Sequence, residues 1–206
     1  MDYKDYIKEE YYAAYVQARD NLADRLIEAK YNLLFLNMAY ERDVAYRNSN
    51  DGTERSEIRF ILRRIYITVA WELALQIKAF ADDNDKNSLT VDKFKNNIFK
   101  HYIKDEKKQE CFDSLGAIRK EFDGNNCDKL VARISEYRNK IVGHNMLNSP
   151  KLTFDIRDAD FVISQYEKIF NILNFQNEHY AKRVADLADE KARFIKEYLD
   201  AVLPLS

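Results

Sequence analysis

The chain has 206 residues, of which 46% are hydrophobic and 33% are charged, and its net charge is −2. This length allows one large domain or one domain with extensions, and the near-neutral charge excludes nucleic-acid binding by bulk charge, so that such binding would need a local basic patch. Four glycines and two prolines are too few for a glycine-rich phosphate loop or a dinucleotide fold. We therefore predict an all-α protein built from long helices.

The sequence predicts no bound metal or cofactor. The two cysteines, Cys111 and Cys127, form neither a disulfide framework nor a metal-ligand spacing, and the three histidines show no such spacing either. The first ten residues are charged and lack the apolar core of a signal peptide, and no apolar run is long enough to span a membrane. We expect a cytoplasmic protein without membrane contact.

A long first helix is predicted over residues 3–47. Its apolar residues alternate at spacings of three and four, which is typical of one buried helix face. This stripe consists of Tyr15, Leu22, Leu26, Ala29, Leu33, Leu36, Tyr40 and Val44. A polar loop follows at 48–52, and either Thr53 or Ser56 can cap the next helix.

The second predicted helix extends to about residue 82 and is apolar on two sides, so it is either central or shared with a partner chain. Its main stripe contains Ile58, Ile61, Leu62, Ile65, Val69, Leu73 and Phe80, and the opposite stripe contains Phe60, Ile67, Trp71 and Ala74. Glu72 and Gln76 intrude into the main stripe. A buried carboxylate needs a partner, and Arg138 is the candidate for Glu72, the alternative being a cavity water or a helix end.

Two helices are then predicted at about 90–103, begun by Ser88 or Thr90, and at about 104–122. Lysines crowd this region with aromatic residues between them: Lys93, Phe94, Lys95, Phe99, Lys100, Tyr102, Lys104, Lys107 and Lys108. Such a pattern could hold single-stranded RNA. The alternative is a solvated lysine face over an aromatic core.

A motif helix is predicted from about Cys127 to Asn145. On a helical wheel Arg138 falls among Val131, Ile134 and other apolar residues. A guanidinium there is always charged and costs several kcal/mol to desolvate, so it needs a carboxylate or an anionic ligand. His144 falls roughly 120° away. The two side chains could converge if Gly143 ends the helix, or if two copies meet at a two-fold axis.

The last two helices are predicted at about 158–176 and 178–203. The final helix has its own stripe at alternating spacings: Tyr180, Val184, Leu187, Lys191, Phe194, Tyr198 and Val202. Because the first and last helices share this period, we predict that they pack side by side as a coiled-coil-like arm. The whole chain is then one domain (1–206), with a bundle core at 53–176 and long terminal helices at 3–47 and 178–203.

The run from Tyr137 to Asn145, YRNKIVGHN, resembles the R-x(4–6)-H signature of the HEPN superfamily. It is most similar to the AbiU-type abortive-infection branch of phage-defence proteins, in which an RNK run precedes a small residue and histidine. The resemblance implies that the fold is an antiparallel helical bundle. The motif itself is short, and the helical layout extends the likeness loosely to most of the chain. It also implies a homodimer with the motif near the two-fold axis.

The same resemblance implies a metal-independent endoribonuclease that leaves 2′,3′-cyclic phosphate ends. Histidine titrates near neutral pH and suits His144 as general acid or base, and the planar guanidinium of Arg138 matches phosphate oxygens. Asn139 is assigned to the same site, where it could bond the phosphate or fix the histidine. We assign RNA binding to Lys140 and Asn145, and support of the site to Glu72 and Tyr137.

Two alternatives remain. One is a non-catalytic helical dimer that binds RNA, a nucleotide or a protein, and the other is a purely structural coiled-coil partner, which leaves Arg138 in the stripe unexplained. Some HEPN toxins carry a tyrosine two residues after the histidine, and a partner enzyme modifies it. Met146 holds that position here, so control of that type fits poorly, and another regulatory partner protein remains open.

Overall fold

The computed structural model describes residues 2–48, 56–81, 89–124, 127–143, 154–175 and 178–202. Within these ranges the chain forms seven α-helices, which confirms the predicted all-α class. They are α1 (Tyr12–Asn48), α2 (Ser56–Ala81), α3 (Val91–Asn97), α4 (Lys108–Gly124), α5 (Cys127–Gly143), α6 (Ile156–Leu173) and α7 (Glu178–Val202). The Thr53 cap and the loop at 49–52 lie outside the described residues. No helix in the described ranges has the length and apolar content needed to cross a bilayer.

The N-terminal segment differs from the predicted helix over 3–47, because α1 begins only at Tyr12. Before it, two short 3₁₀ turns flank Ile7, which is fully buried and pairs with Ile103 in an isolated antiparallel bridge. The Lys8 amide donates to the Tyr102 carbonyl at 2.8 Å, and the Lys104 amide donates to the Tyr6 carbonyl at 2.8 Å. These distant contacts satisfy backbone groups that a helix would otherwise bond locally.

α1 carries much of the main core. Its predicted stripe is confirmed from Tyr15 to Leu36, where the residues are buried. The prediction is wrong at Tyr40, which is exposed. The main core contains α1 residues only as far as Leu36, so Tyr40 lies one turn beyond it. α1 is therefore part of the bundle and not an appended arm.

Two neighbours of α1, namely α2 and α6, run antiparallel to it, as predicted for the bundle. α1 is joined by one hydrogen bond to the segment that follows α2, by one to α2 itself, and by one hydrogen bond and one ion pair to α6. In order these are Arg25 to the Leu89 carbonyl (2.9 Å), Asn32 to Gln76 (3.1 Å), Tyr15 to the Leu173 carbonyl (2.9 Å) and Lys30 to Glu167 (2.7 Å).

The predicted packing of the terminal helices is confirmed, and the two helices run parallel. Ion pairs join Asp24 to Arg183 and Arg42 to Asp200, so residue numbers rise together along both helices. The parallel direction follows from topology, because α6 is antiparallel to α1 and α7 reverses direction again.

The predicted stripe of α7 is wrong in its second half. Ile195 and Leu199 are buried against Ala39, whereas Phe194 and Tyr198 are exposed. A strict alternation of threes and fours drifts by about 20° per heptad on a straight α-helix. Two heptads after Tyr180, position 194 has turned away and position 195 replaces it.

α4 and α5 follow one another along α6. Glu121 of α4 accepts hydrogen bonds from Gln165 at 3.0 Å and Lys168 at 2.6 Å, near the middle of α6. Arg133 of α5 forms an ion pair with Asp158, at the start of α6. α5 is therefore antiparallel to α6, and its last turns extend beyond the level at which α6 begins.

Candidate functional site

The motif helix α5 is held by its packing on α2 and α6. Cys127, Ile134 and Tyr137 are buried, and Leu130 and Val131 pack against the main core. These positions follow the helical period, so one face of α5 is apolar and anchored. The predicted burial of Ile134 on this face is confirmed.

The helical backbone of α5 includes Arg138, Asn139 and Lys140, and it extends to Gly143. For these three predicted site residues the structure describes the backbone and not the side chains. His144 and Asn145 lie outside the described residues. Position 138 follows buried Ile134 by four residues, which is about one helical turn.

Tyr137, assigned to support of the site, is a core residue. It is buried, and its ring centre lies 5.2 Å from that of Phe154. Burial, with a smaller contribution from Tyr66, raises the pKa of Tyr137 to about 12. Its hydroxyl is therefore protonated at neutral pH, and its role is to anchor α5 next to the arginine position.

Glu72 does not lie in the buried face of α2, and this expectation was wrong. The carboxylate is exposed, whereas the helix buries Ala70, Ala74 and Ile77. The buried face keeps Leu62, Leu73 and Phe80 of the predicted stripe, and it extends to Ala70, Ala74 and Ile77 on the side away from Glu72. α2 packs against both α1 and α5, and this two-sided contact draws the small alanines inward. Gln76 instead accepts a hydrogen bond from buried Asn32.

Polar and aromatic residues of α1, α2 and α6 lie at the same height in the bundle as Tyr137. Asp155 caps the N-terminus of α6 and accepts hydrogen bonds from the Arg157 side chain at 3.2 and 3.0 Å. The pKa of Asp155 is lowered, mainly by these bonds. The pKa of Tyr66 is raised by burial, then by nearby Tyr40 and Asp155. Sequence reasoning missed this cluster, because its members are scattered from residue 40 to residue 157.

A second group of residues lies beside the last turns of α5. Because α2 and α5 are antiparallel with Tyr66 near Tyr137, the 1.5 Å rise per residue puts 60–65 of α2 level with 138–143 of α5. In this stretch the Arg64 guanidinium lies 5.1 Å from the centre of the Phe60 ring. Both side chains are exposed.

Comparison with known protein families, curated proteins and solved structures found no match. The likeness to the HEPN superfamily therefore rests on the motif residues and their context in the chain.

The lysine-rich segment is held by local contacts. Lys95, Lys107 and Lys108 form ion pairs with Asp92, Glu110 and Asp105, and Lys104 donates to the Lys4 carbonyl at 2.8 Å. Phe94 is fully buried in the main core, and Phe99 and Tyr102 pack against it. These contacts favour the structural interpretation over an RNA platform. The predicted Thr90 cap is confirmed, because its hydroxyl accepts from the Lys93 amide at 3.0 Å.

A cavity of about 360 Å³ lies between α1 and α7, away from the motif helix. Its described lining combines apolar and charged residues: Asp24, Ile27, Glu28, Lys30, Tyr31, Leu34, Val184 and Lys191. Lys191 lies 5.5 Å from the centre of the Tyr31 ring. Among the described side chains, no group of three or more potential metal ligands comes together.

Proposed function

We propose that the protein is a metal-independent endoribonuclease of the HEPN type, acting as a homodimer in phage defence or as a toxin. The observation that carries the proposal is the sequence Arg138-Asn139-x(4)-His144, of which residues 138–143 form the last turns of α5, in an all-α chain of this size. Further support comes from the anchoring of α5 through Ile134 and Tyr137, since a reacting group needs a rigid support.

RNA supplies its own nucleophile in the proposed reaction. His144 takes the proton from the 2′-OH, and the 2′ oxygen attacks the adjacent phosphorus. The 5′ oxygen leaves with a proton from an acid, which in a two-fold dimer is the second copy of His144. Arg138 binds the phosphate oxygens as negative charge builds up, and Asn139 orients the phosphate or the histidine. The products are a 2′,3′-cyclic phosphate and a 5′-OH.

The test is incubation of the purified chain with mixed tRNA and messenger RNA in EDTA. We expect cleavage that leaves cyclic phosphate ends, and a rate lower by about 100-fold or more in Arg138→Ala and in His144→Ala. Two matched controls are Arg133→Ala, an arginine on the same helix, and His101→Ala, an exposed histidine in the π-helical turn after α3. Both should cleave at a rate within about twofold of wild type.

Two results would contradict the proposal. Cleavage that persists in both Arg138→Ala and His144→Ala would make the motif a coincidence. A folded wild-type dimer that is as inert as the variants would favour the alternative, a non-catalytic dimer that binds RNA, a nucleotide or a protein.

A further inference from the structure

Two exposed pairs of an arginine and an aromatic residue lie at the motif end of the bundle. Tyr40 is 55% exposed and Phe60 is 56% exposed, although both belong to helices with buried faces. Arg64 lies over the Phe60 ring, and the side chain of Arg157 near Tyr40 is 91% exposed. We call these four residues, Tyr40, Phe60, Arg64 and Arg157, the cation–aromatic rim.

The rim belongs to the same end of the molecule as the motif. Phe60 and Arg64 lie level with positions 138–143 of α5, as the antiparallel packing of α2 and α5 requires. Arg157 lies in the first turn of α6, three residues after Phe154, whose ring contacts Tyr137. Tyr137 immediately precedes the motif arginine in the chain.

The arginines of the rim can still contact a phosphate. Asp155 accepts from Nε and one Nη of Arg157, which orients the guanidinium and leaves its other edge free to donate. Arg64 makes a cation–π contact with Phe60, and no described carboxylate forms an ion pair with it. Guanidinium groups bind phosphate oxygens, and exposed aromatic rings stack on unpaired bases. The chain as a whole is close to neutral, so RNA binding requires a local surface of this kind.

We infer that the cation–aromatic rim binds single-stranded RNA, with bases stacked on Tyr40 and Phe60 and phosphates held by Arg64 and Arg157. This inference rests on the proposed function, since RNA is its substrate. The rim is a binding surface distinct from the reacting groups. It holds the strand so that a phosphate reaches the motif, and double-stranded RNA, whose bases are already stacked, binds it less tightly.

The test measures binding without cleavage. A fluorescently labelled, 2′-O-methylated single strand of about 12 nucleotides cannot be cut through a 2′-OH, and its affinity is read by fluorescence anisotropy at several salt concentrations. We expect Tyr40→Ala and Phe60→Ala each to raise Kd about 5-fold or more. Arg64→Ala and Arg157→Ala should each also reduce the slope of log K against log salt by about 0.7.

Matched controls come from α4, which contacts the middle of α6 through Glu121 and does not contribute to the rim. Phe112 is 65% exposed and the Arg119 side chain is 79% exposed, so Phe112→Ala and Arg119→Ala remove the same groups elsewhere. Both should bind RNA with the affinity of wild type. Circular dichroism of every variant checks that the helices are intact.

The outcomes separate this inference from the proposed function. If Arg138→Ala and His144→Ala abolish cleavage while the rim variants bind like wild type, the rim inference is overturned and the ribonuclease stands. If the rim variants lose affinity and no cleavage is detected, the rim is supported and the enzyme is not. A wild-type protein that does not bind the strand, or that loses no more affinity in the rim variants than in the α4 controls, overturns the inference.

Discussion

The hydroxyl of Tyr15 donates a 2.9 Å hydrogen bond to the carbonyl oxygen of Leu173, the last residue of α6. The last carbonyls of a helix have no hydrogen-bond donor within it. The Leu173 carbonyl receives its donor from α1, which is far away in the sequence. Tyr15 is fully buried, and burial raises the pKa of its hydroxyl. The bond therefore joins the longest helix to the end of α6 inside the main core.

Tyr15→Phe should lower the free energy of unfolding by about 1–2 kcal/mol, because the Leu173 carbonyl would be left buried without its donor. Urea denaturation followed by circular dichroism measures this loss. Tyr12→Phe is the matched control, since the Tyr12 hydroxyl bonds the Lys4 carbonyl at an exposed site. Its effect should remain below about 0.5 kcal/mol. Equal losses in the two variants would contradict the burial argument.

The register of α7 can be tested with neighbouring residues. Ile195 is fully buried against α1, whereas adjacent Phe194 is exposed. Ile195→Ala should lower the free energy of unfolding by about 2–4 kcal/mol, and Phe194→Ala by less than about 0.5 kcal/mol. Thermal or urea denaturation distinguishes them. If Phe194→Ala lost more unfolding free energy than Ile195→Ala, the buried face would be the one that the sequence period predicts, and the register described for α7 would be wrong.

Asp155 combines a helix cap with an ion pair to Arg157. Asp155→Ala should lower the free energy of unfolding by about 0.5–2 kcal/mol at neutral pH, and Asp155→Asn by less, since an amide oxygen can still cap. Hydrogen bonds from Arg157 hold the pKa of Asp155 below its ordinary value of 3.8. Its charge therefore stabilises the fold above that value, and this contribution is lost as the pH falls through the lowered pKa.

Urea denaturation at pH 7 and at about pH 3 checks the sign. The difference between wild type and Asp155→Asn should be largest at neutral pH and should shrink in acid, where the carboxyl group becomes protonated. A difference that grows as the pH falls would mean that the carboxylate does not stabilise the folded chain.

Both cysteines should be nearly inert in the folded protein. Cys111 and Cys127 are buried, and burial raises the pKa of each thiol to about 11. At pH 8 only roughly one thiol in a thousand is then a thiolate, the reactive form. Ellman's reagent should react slowly with the native chain and rapidly with two thiols per chain in denaturant. Fast reaction of the native chain would show that one of the two thiols is exposed. The variants Cys111→Ala and Cys127→Ala would then identify which one.

Helical periodicity predicted most of the fold. The segments around α2, α5, α6 and α7 were recognised, and so was the buried stripe of α1 from Tyr15 to Leu36. These succeeded because an amphipathic pattern reports local burial directly. The start of the first helix was predicted too early. The burial predictions that failed concern Tyr40, Phe60, Phe194, Tyr198 and Glu72, whose exposure depends on which neighbouring helix covers each face.

The candidate site shows the same division. The motif from Arg138 to His144 is readable in the sequence because its residues are close together, and it alone led to the proposal of a ribonuclease. The rim residues Tyr40 and Arg157 are far apart in the chain, and no local pattern connects them.

The sequence by itself determined the all-α class, the approximate positions of the helices and the motif, since these follow from composition and short-range spacing. Only the tertiary structure decided that α7 runs parallel to α1, that Ile7 bridges to Ile103, and that exposed aromatics and arginines lie at the motif end of the bundle. The physical reason is that these features depend on contacts between distant segments, whose geometry is set by packing the whole core at once.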